Sequence, residues 1–277
     1  MENIEGRYFT TKDDRKIYYR LLLPEDAIGY IILLHGYAEH GGRYEHVIQF
    51  LSDRGYACFA PDFRGHGKSA RVLGDMESYN KILEDIRELQ LQIQEKYGSK
   101  SLFILAHSMG ALIAINFCLK YEDAANGLLL SAPMIVTPDY ISPFLKKASK
   151  FLAKILPRLP AQKFSTRDTC RDKQVIDTAE SDPLCYHGKI RVRTGTEMMK
   201  AMENANSHLK DITLPTLIMH GGDDKTLPLQ GSQMIYDAIS VEDKTLKVFE
   251  NLYHAIMHEP EKEQVLEYIA QWLEDRV

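Results

Sequence analysis

Short apolar runs recur along the chain at intervals that predict a sheet. Each run is continuously apolar rather than alternating with polar residues, which is typical of strands covered on both faces of a parallel sheet. Helical spacing separates most of the runs, as in the stripe formed by Ile82, Ile86, Leu89 and Ile93. The runs lie at residues 30–34, 56–60, 102–105, 127–130, 216–219 and 246–249. This alternation predicts an α/β fold, with a doubly wound, mainly parallel sheet and helices on both faces.

The alternation breaks between residues 133 and 210. This region is rich in proline and charge, shows no convincing strand pattern, and lies between two strand runs. It therefore predicts a helical cap, or lid, inserted over the carboxyl ends of the strands, where open α/β sheets place their active sites. Residues 1–132 and 211–277 form the predicted core, which opens with an antiparallel edge hairpin over residues 7–10 and 17–23.

The stretch FILAHSMGALIA places a polar His-Ser pair between a strand pattern and a helix pattern. A turn this tight forces its central residue, Ser108, into strained backbone geometry and needs small neighbours, which Ala106 and Gly110 supply. The turn lifts the Ser108 hydroxyl off the sheet. The backbone N–H of Met109, at the start of the helix, points to whatever that hydroxyl attacks, and the positive helix end favours an anion there.

Composition and charge narrow the class of protein. The 277 residues, 44% hydrophobic and 26% charged with a net charge of -5, suit one large domain with an insertion, or two modest domains. This balance indicates neither disorder nor a nucleic-acid partner. The four cysteines show no paired metal spacing, so we expect no disulfide and no structural zinc. Without a basic segment before an apolar run at its start, or an apolar stretch that could span a bilayer, the chain is expected to be cytoplasmic.

Residues 106–110, AHSMG, resemble the nucleophile elbow of α/β-hydrolases. The segments HGYAEHGGRY, DFRGHGKS and SDPLCYHGKIRVRTG resemble those of the monoacylglycerol lipase and lysophospholipase branch, which are hydrolases of the serine aminopeptidase S33 type. The likeness extends from about Tyr8 to Leu273. One departure is that Ala106 stands where the family usually has the first glycine of the elbow. The resemblance implies an α/β-hydrolase fold and a serine esterase.

A serine hydroxyl needs a general base and a carboxylate that orients the base. The order Ser, acid, His along the chains of α/β-hydrolases favours His254, which lies in NLYHAIMHEPEK between the last strand pattern and the last helix. His258 is the alternative base, although Glu259 and Pro260 directly after it indicate that it stands at the start of the helix.

The acid is expected on a loop after a strand and ahead of His254. In LIMHGGDDKTLP the apolar run ends before two glycines and two aspartates, of which Asp224 matches the family position. Asp223 remains an alternative, although an aspartate beside glycine is ordinary turn chemistry. Asp62 precedes the serine, and its expected role is to brace the loop over residues 64–67.

The oxyanion that forms on attack by a serine needs hydrogen-bond donors. HGYAEHGGRY, residues 35–44, resembles the oxyanion loop of the family, in which the residue after the His-Gly pair gives its backbone N–H. The resemblance therefore implies that the N–H groups of Tyr37 and Met109 form the oxyanion hole. The family more often has a small residue at the first position. Two roles stay open for the Tyr37 side chain, which are narrowing the pocket and hydrogen-bonding a substrate.

The resemblance implies hydrolysis of carboxylic esters of single-acyl-chain lipids, foremost monoacylglycerol to glycerol and fatty acid. Ser108, Asp224 and His254 would form the triad, through an acyl-enzyme and without a metal or organic cofactor. Lysophospholipase or general short-chain carboxylesterase activity is the first alternative. Amide, thioester or carbon–carbon hydrolysis on the same fold is the second, and a noncatalytic ligand-binding homologue is the third.

One cap helix is predicted over residues 143–156. Pro143 begins it, Pro157 ends it, and the charged residues of its polar face are all positive. Its apolar face comprises Phe144, Leu145, Ala148, Phe151, Leu152, Ile155 and Leu156, and its basic residues are Lys146, Lys147, Lys150 and Lys154. Such a helix can lie as a peripheral contact on an anionic membrane surface, and it can equally pack on the core with solvated lysines.

Overall fold

Eight strands form the central sheet in a computed structural model, which describes residues 3–136, 149, 151–162 and 165–277. In chain order the strands of the described residues are β1 (Glu5–Thr10), β2 (Lys16–Leu22), β3 (Gly29–Leu34), β4 (Tyr56–Pro61), β5 (Leu102–His107), β6 (Gly127–Ser131), β7 (Pro160–Gln162), β8 (Ile190–Arg191), β9 (Thr216–Gly221) and β10 (Lys244–Phe249). The central sheet has the order β1-β2-β4-β3-β5-β6-β9-β10, and β7 pairs with β8 apart from it. Strand β2 is antiparallel to both of its neighbours, while the other adjacent strands of the central sheet are parallel. The predicted mainly parallel sheet and its edge hairpin are confirmed.

Helices cover both faces of this sheet and produce two hydrophobic cores. They are α1 (Glu45–Ser52), α2 (Tyr79–Tyr97), α3 (Met109–Lys120), α4 (Lys173–Ser181), α5 (Val192–His208), α6 (Gln230–Ala238) and α7 (Lys262–Glu274). One core contains side chains of α2, α3 and α5, and the other contains side chains of α1 and α7. Neighbouring residues of β3 alternate between them, with Ile32 in the first core and Ile31 in the second. Every position of β3 is buried, which explains its unbroken apolar sequence.

The order of the strands reverses at β3, which lies between β4 and β5. In open parallel sheets the crevice for a ligand forms at such a point, beyond the carboxyl ends of the strands. The loop after β3 contains Tyr37, and the turn after β5 contains Ser108. The topology therefore places these two segments side by side.

The chain between β6 and β9 contains both a crossover and an insertion. These two strands are parallel neighbours, with Leu128 opposite Thr216, so the chain must return from the carboxyl end of one to the amino end of the other. Helix α5 makes this crossover, because it packs against α2 and α3 on the face of the sheet. The insertion before it includes α4 and the β7–β8 pair, which the sequence pattern did not predict. These two strands have three and two residues, too few to show a periodicity.

Half of the predicted cap helix over residues 143–156, namely residues 143–148 and 150, lies outside the described residues. Residues 151–155 are helical. Phe151, Ile155 and Leu156 expose 65%, 58% and 51% of their surface. Among the described residues, no helix combines the length and the apolar character needed to cross a bilayer. The cysteines, Cys58, Cys118, Cys170 and Cys185, are free and buried thiols.

Candidate active site

A strained turn between β5 and α3 carries Ser108. Its backbone has φ 53° and ψ -114°, a conformation that residues other than glycine rarely adopt. The amide of Ser108 donates a hydrogen bond to the carbonyl of Ser131 on β6 at 2.9 Å, so the neighbouring strand holds the turn. A Cβ atom on Gly110 would overlap the carbonyl oxygens of Leu34 and His35, so α3 approaches β3 this closely only with glycine there.

The structure brings Ser108, His254 and Asp224 into one chain of hydrogen bonds. The Nε2 atom of His254 lies 2.9 Å from the Ser108 Oγ, and its Nδ1 lies 2.7 Å from the Asp224 Oδ2. Because the carboxylate accepts the Nδ1 proton, Nε2 is left to accept the proton of the serine hydroxyl. All three side chains are buried, and that of Asp224 is only 1% exposed. This is the geometry of a serine activated by an oriented base.

Four N–H groups surround the carboxylate of Asp224. Its Oδ1 accepts hydrogen bonds from the amides of Thr226 and Leu227 at 2.7 and 2.9 Å. Its Oδ2 contacts His254 and also the Nε2 of His220, at 3.1 Å. Burial disfavours the charged form, but the hydrogen bonds from the two histidines outweigh it and hold the pKa of Asp224 well below its usual value. The carboxylate is therefore ionised at neutral pH.

The alternatives to these residues have other places in the structure. Asp223 is exposed to solvent. The Nε2 of His258 donates to the carbonyl of Arg43 at 3.0 Å, and burial lowers the pKa of His258 to about 3. Asp62 accepts hydrogen bonds from the amides of Gly41 and Lys68, both at 2.9 Å. It therefore braces the loop after β3 against the loop after β4, a wider span than the sequence suggested.

Tyr37 and Met109 flank the serine from two segments. Met109 is the first residue of α3, directly after Ser108. The loop that carries Tyr37 lies against the serine, because a Cβ atom on the preceding Gly36 would be 3.4 Å from the Ser108 Cβ. The Tyr37 ring is buried, lines the pocket above Ser108, and stands 6.2 Å from the ring of Tyr186. Burial raises the pKa of Tyr37 well above its usual value.

Two side chains that the sequence analysis passed over fix the peptide groups around Gly36. The Glu39 carboxylate accepts the amide of Gly36 at 2.6 Å. The Nε2 of His35 accepts the amide of Phe63 at 3.0 Å, so the proton of this ring is on Nδ1, which donates to the Gly36 carbonyl at 2.7 Å. That carbonyl and the N–H of Tyr37 belong to one planar peptide, so His35 fixes the direction of the Tyr37 N–H. The sequence offers no signal for either role, because the partners are backbone atoms.

The pocket above Ser108 has walls from the core and from the segment between β6 and β9. The second group comprises Met134, Thr166, Thr169, Val175, Ile176, Ala179, Cys185, Tyr186 and His187. This segment is also tied to the loop after β3. The amide of Tyr186 donates to the carbonyl of Ala38 at 2.9 Å, and the Nε2 of His40 lies 2.8 Å from the Asp182 carboxylate. The shape of the pocket therefore depends on residues of both parts.

Among the described residues, one group combines side chains of the kinds that bind metals: His40, Asp182 and Cys185. The Nδ1 of His40 accepts the amide of Gly42 at 3.1 Å, which leaves the proton on Nε2 to donate to Asp182. Burial raises the pKa of Cys185 to about 12, so its thiol stays protonated at neutral pH. An imidazole with both nitrogens in hydrogen bonds within the protein fits a structural link better than a metal site.

The chain is similar to known proteins along most of its length. The sequence pattern of the family described as serine aminopeptidase, S33, matches residues 25–261. A monoacylglycerol lipase of Mycolicibacterium smegmatis is 31% identical over 259 residues, which cover 93% of this chain and 92% of that protein. A monoglyceride lipase of Rattus norvegicus is 29% identical over 250 residues, which cover 89% and 82%.

Solved structures extend the likeness to three dimensions. The crystal structure of the monoacylglycerol lipase of Paleococcus ferrophilus has a TM-score of 0.82 at 27% sequence identity, and the match covers 99% of this chain and 100% of that one. The matched fold and the matched sequence pattern both include the turn of Ser108 and the loops of Asp224 and His254. The chain therefore belongs to the serine aminopeptidase S33 family of α/β-hydrolases and is a carboxylic ester hydrolase.

Proposed function

We propose that the protein hydrolyses monoacylglycerols to glycerol and fatty acid, with Ser108 as the nucleophile. The observation that carries this proposal is the chain of hydrogen bonds from Asp224 through His254 to Ser108, at a strained turn in a pocket. His254 acts as the general base, and Asp224 orients it and stabilises its protonated form. The N–H groups of Tyr37 and Met109 act as the oxyanion hole.

The reaction follows from the positions of these groups. As the Ser108 oxygen attacks the ester carbonyl, its proton moves to the Nε2 of His254, and the carbonyl oxygen gains a negative charge that the two N–H groups stabilise. His254 then gives the proton to the departing glycerol oxygen, which leaves an acyl group on Ser108. Water next attacks the acyl group while His254 takes a proton from it. The fatty acid departs, and Ser108 regains its proton from His254.

The lining of the pocket supports an ester with one acyl chain and a polar alcohol. Val175, Ile176 and Ala179 of α4 give the pocket an apolar wall, whereas Glu39 and Arg43 give it a charged one. An amphipathic substrate matches this division better than a wholly polar one. The similar proteins of Mycolicibacterium smegmatis and Rattus norvegicus are named for the same class of substrate.

The first test compares the wild type with Ser108→Ala on monoolein, lysophosphatidylcholine and p-nitrophenyl butyrate. We expect the highest kcat/KM on monoolein and a loss of about 10⁶-fold in Ser108→Ala. A higher kcat/KM on lysophosphatidylcholine would assign the lysophospholipase alternative, and a preference for the butyrate ester would assign the short-chain esterase. Wild-type protein that hydrolyses none of the three would overturn the proposal.

The second test separates the two neighbouring aspartates. Asp224→Asn is expected to lower kcat by about 10⁴-fold, because an amide cannot stabilise the protonated His254 and favours the wrong tautomer. Asp223→Asn is the matched control, since Asp223 is exposed and adjacent in the chain. It should keep wild-type kcat. Equal losses in the two variants would contradict the assignment of Asp224.

We further propose that, of the predicted cap over residues 133–210, the segment before α5 acts as a cap whose outer surface contacts membranes. The exposed apolar side chains Phe151, Ile155 and Leu156 support this contact, and the neighbouring Lys154 and Arg158 favour anionic lipid. The variant Phe151→Ser/Ile155→Ser should bind less to vesicles that contain phosphatidylglycerol and should hydrolyse monoolein in them more slowly. Its activity on soluble p-nitrophenyl butyrate should stay unchanged. Leu91→Ser, which alters an exposed leucine of α2, is the control, and equal vesicle binding by both variants would refute the contact.

A further inference from the structure

A second histidine, His220, contacts the carboxylate of Asp224. It lies near the carboxyl end of β9 and is fully buried. Its Nε2 atom is 3.1 Å from the Asp224 Oδ2 and 3.2 Å from the carbonyl oxygen of Leu227. Its Nδ1 atom is 2.7 Å from the hydroxyl of Ser232, a fully buried residue of α6. Both ring nitrogens therefore have hydrogen-bond partners within the protein.

These partners determine which nitrogen carries the proton. The two neighbours of the His220 Nε2 are oxygen atoms that can only accept, so this nitrogen must donate. The hydroxyl of Ser232 can donate, and it supplies the hydrogen bond that Nδ1 accepts. The result is a directed chain from the Ser232 hydroxyl to His220, whose Nε2–H is shared between the carbonyl of Leu227 and the carboxylate of Asp224. Ser232 thus selects the tautomer of His220 that the carboxylate requires.

The hydrogen bonds on Asp224 show what this chain does for the triad. The two backbone amides on Oδ1 hold one side of the carboxylate. The Oδ2 atom is approached by two ring nitrogens, the Nε2 of His220 at 3.1 Å and the Nδ1 of His254 at 2.7 Å. His220 thus adds an N–H group to the three that face this negative charge, which are the two backbone amides and the Nδ1–H of His254. Loss of this donor leaves the Oδ2 side of the carboxylate less constrained, and the carboxylate then attracts a protonated His254 more strongly.

We propose that His220, held in one tautomer by Ser232, is a positioning residue for ester hydrolysis. It fixes the carboxylate of Asp224 toward His254 and moderates the charge that this carboxylate presents. The inference rests on the proposed triad and deepens it, since His220 acts through Asp224 and does not touch the substrate.

The other titratable groups near this chain are few among the described residues. The ring of His107 packs on that of His254 with 4.7 Å between centroids, and burial lowers the pKa of His107 to about 3. Lys225, next to Asp224, is exposed and donates to the hydroxyl of Tyr253. Glu39 acts on His107 from the loop after β3. A change in the pH profile on mutation of His220 would therefore report on Asp224 and His254.

The experiment compares His220→Leu, His220→Gln and Ser232→Ala, with kcat, KM and the pH dependence of kcat/KM measured on monoolein. His220→Leu removes the donor. It should lower kcat about tenfold, the loss that one hydrogen bond to a charged group accounts for, with KM nearly unchanged. The acid limb of its pH profile should move to higher pH, because the protonated form of the general base is favoured. His220→Gln keeps an N–H donor and should recover most of kcat.

Ser232→Ala leaves His220 in place but removes the group that selects its tautomer. It should lower kcat less than His220→Leu does and should shift the acid limb in the same direction. His208→Gln is the control, because His208 is exposed at the end of α5 and its Nδ1 contacts the carbonyl of Asn204 in the same helix. It should leave both kcat and the pH profile unchanged. Equal losses in His220→Leu and His220→Gln, or an acid limb that stays in place in every variant, would overturn the inference.

A second readout separates this inference from the proposed function. The rate at which a fluorophosphonate labels Ser108 depends on the triad but not on the identity of the ester. If the wild type is labelled and the variants at His220 and Ser232 are labelled as fast, the inference fails alone. If the wild type neither reacts nor hydrolyses any ester, the proposed function fails with it. Urea unfolding shows whether each variant is folded. For a folded variant whose activity is too low for kcat to be measured, the labelling rate is the test.

Discussion

At the scale of single residues, the site depends on hydrogen bonds that fix individual peptide groups. Gly36 is held on both sides, with its amide on the Glu39 carboxylate and its carbonyl on His35. Burial disfavours the charged form of Glu39, but Arg43 and the hydrogen bond from Tyr44 keep the pKa of Glu39 well below its usual value. A charged acceptor therefore faces the amide of Gly36 at the pH of the cell.

Glu39→Ala is expected to lower kcat by about 10²-fold, the effect of misplacing one oxyanion donor. The amide of Gly36 loses its acceptor, and the peptide that carries the Tyr37 N–H loses its fixed direction. Glu39→Gln retains an acceptor oxygen and should recover most of the activity. Glu45→Ala removes an exposed glutamate of α1 and serves as the control. Steady-state kinetics on monoolein check this, and equal rates for Glu39→Ala and Glu45→Ala would contradict it.

The sequence was sufficient to name the three side chains that the structure joins. Ser108 lies at a strand-to-helix turn, and His254 follows the last strand. Asp224 precedes His254 in the chain, which is the order expected of the family. The choice between Asp223 and Asp224 depends on how the loop after β9 turns, which only the family position indicated. His35 and Glu39 could not be assigned, because the atoms they contact around Gly36 and Phe63 belong to the backbone. His220 could not be assigned either, because its contact with Asp224 depends on how the loop after β9 turns.

At the scale of elements, the close approach of α3 to β3 presents Ser108. Gly110 lies at the point of contact, where a side chain would overlap the backbone of β3. Helix α5 also contains a glycine in its first turn, Gly195, but a Cβ there would meet only the Ile190 side chain at 3.6 Å. The two glycines therefore have different reasons to be present.

Gly110→Ala is expected to lower the free energy of unfolding by about 3 kcal/mol or more, because α3 must move away from β3 to make room. The movement also displaces Ser108, so labelling by a fluorophosphonate should slow. Gly195→Ala, the matched control, should change stability by about 1 kcal/mol at most, in the stabilising direction. Urea unfolding of both variants checks the prediction. Similar free energies of unfolding for the two variants would show that α3 can approach β3 without a glycine at residue 110.

The elements that could be predicted are those with a periodicity long enough to read. The strands β3, β4, β5, β6 and β9 are buried at every position, so each appears as an apolar run in the sequence. The exposed pair β7 and β8 has no such pattern. Helix α5 was grouped with the cap, because its position against α2 and α3 depends on the crossover between two strands rather than on its own residues.

At the scale of the whole molecule, the core holds several neutral histidines. Burial lowers the pKa of His66, His107 and His258 to about 3. In the unfolded chain these rings take up protons below about pH 6.5. Between about pH 3 and about pH 6.5 the unfolded state therefore binds more protons than the folded state, and stability is lost as the pH falls.

We expect the free energy of unfolding to be highest above pH 6.5 and to decline below it, by about 1.4 kcal/mol per pH unit for each of these histidines. Urea unfolding at pH 7, 6 and 5 measures the slope. His258→Gln should reduce the slope by the share of one histidine, whatever it does to stability at pH 7. His208→Gln changes an exposed histidine at the end of α5 and should leave the slope as it is. A slope that does not differ between the two variants would contradict the account.

The position of α5 has a consequence for how such proteins diversify. Helix α5 returns the chain from β6 to β9, and the described elements before it, α4 and the β7–β8 pair, are not part of the central sheet. Recombination can exchange this insertion between related proteins, while the loops that carry Ser108, Asp224 and His254 stay unchanged. Chimaeric proteins that receive this insertion from a relative should keep the central sheet. They should show the acyl-chain specificity of the protein that donated the insertion. Substrate specificity can thus change through the insertion while the central sheet stays the same.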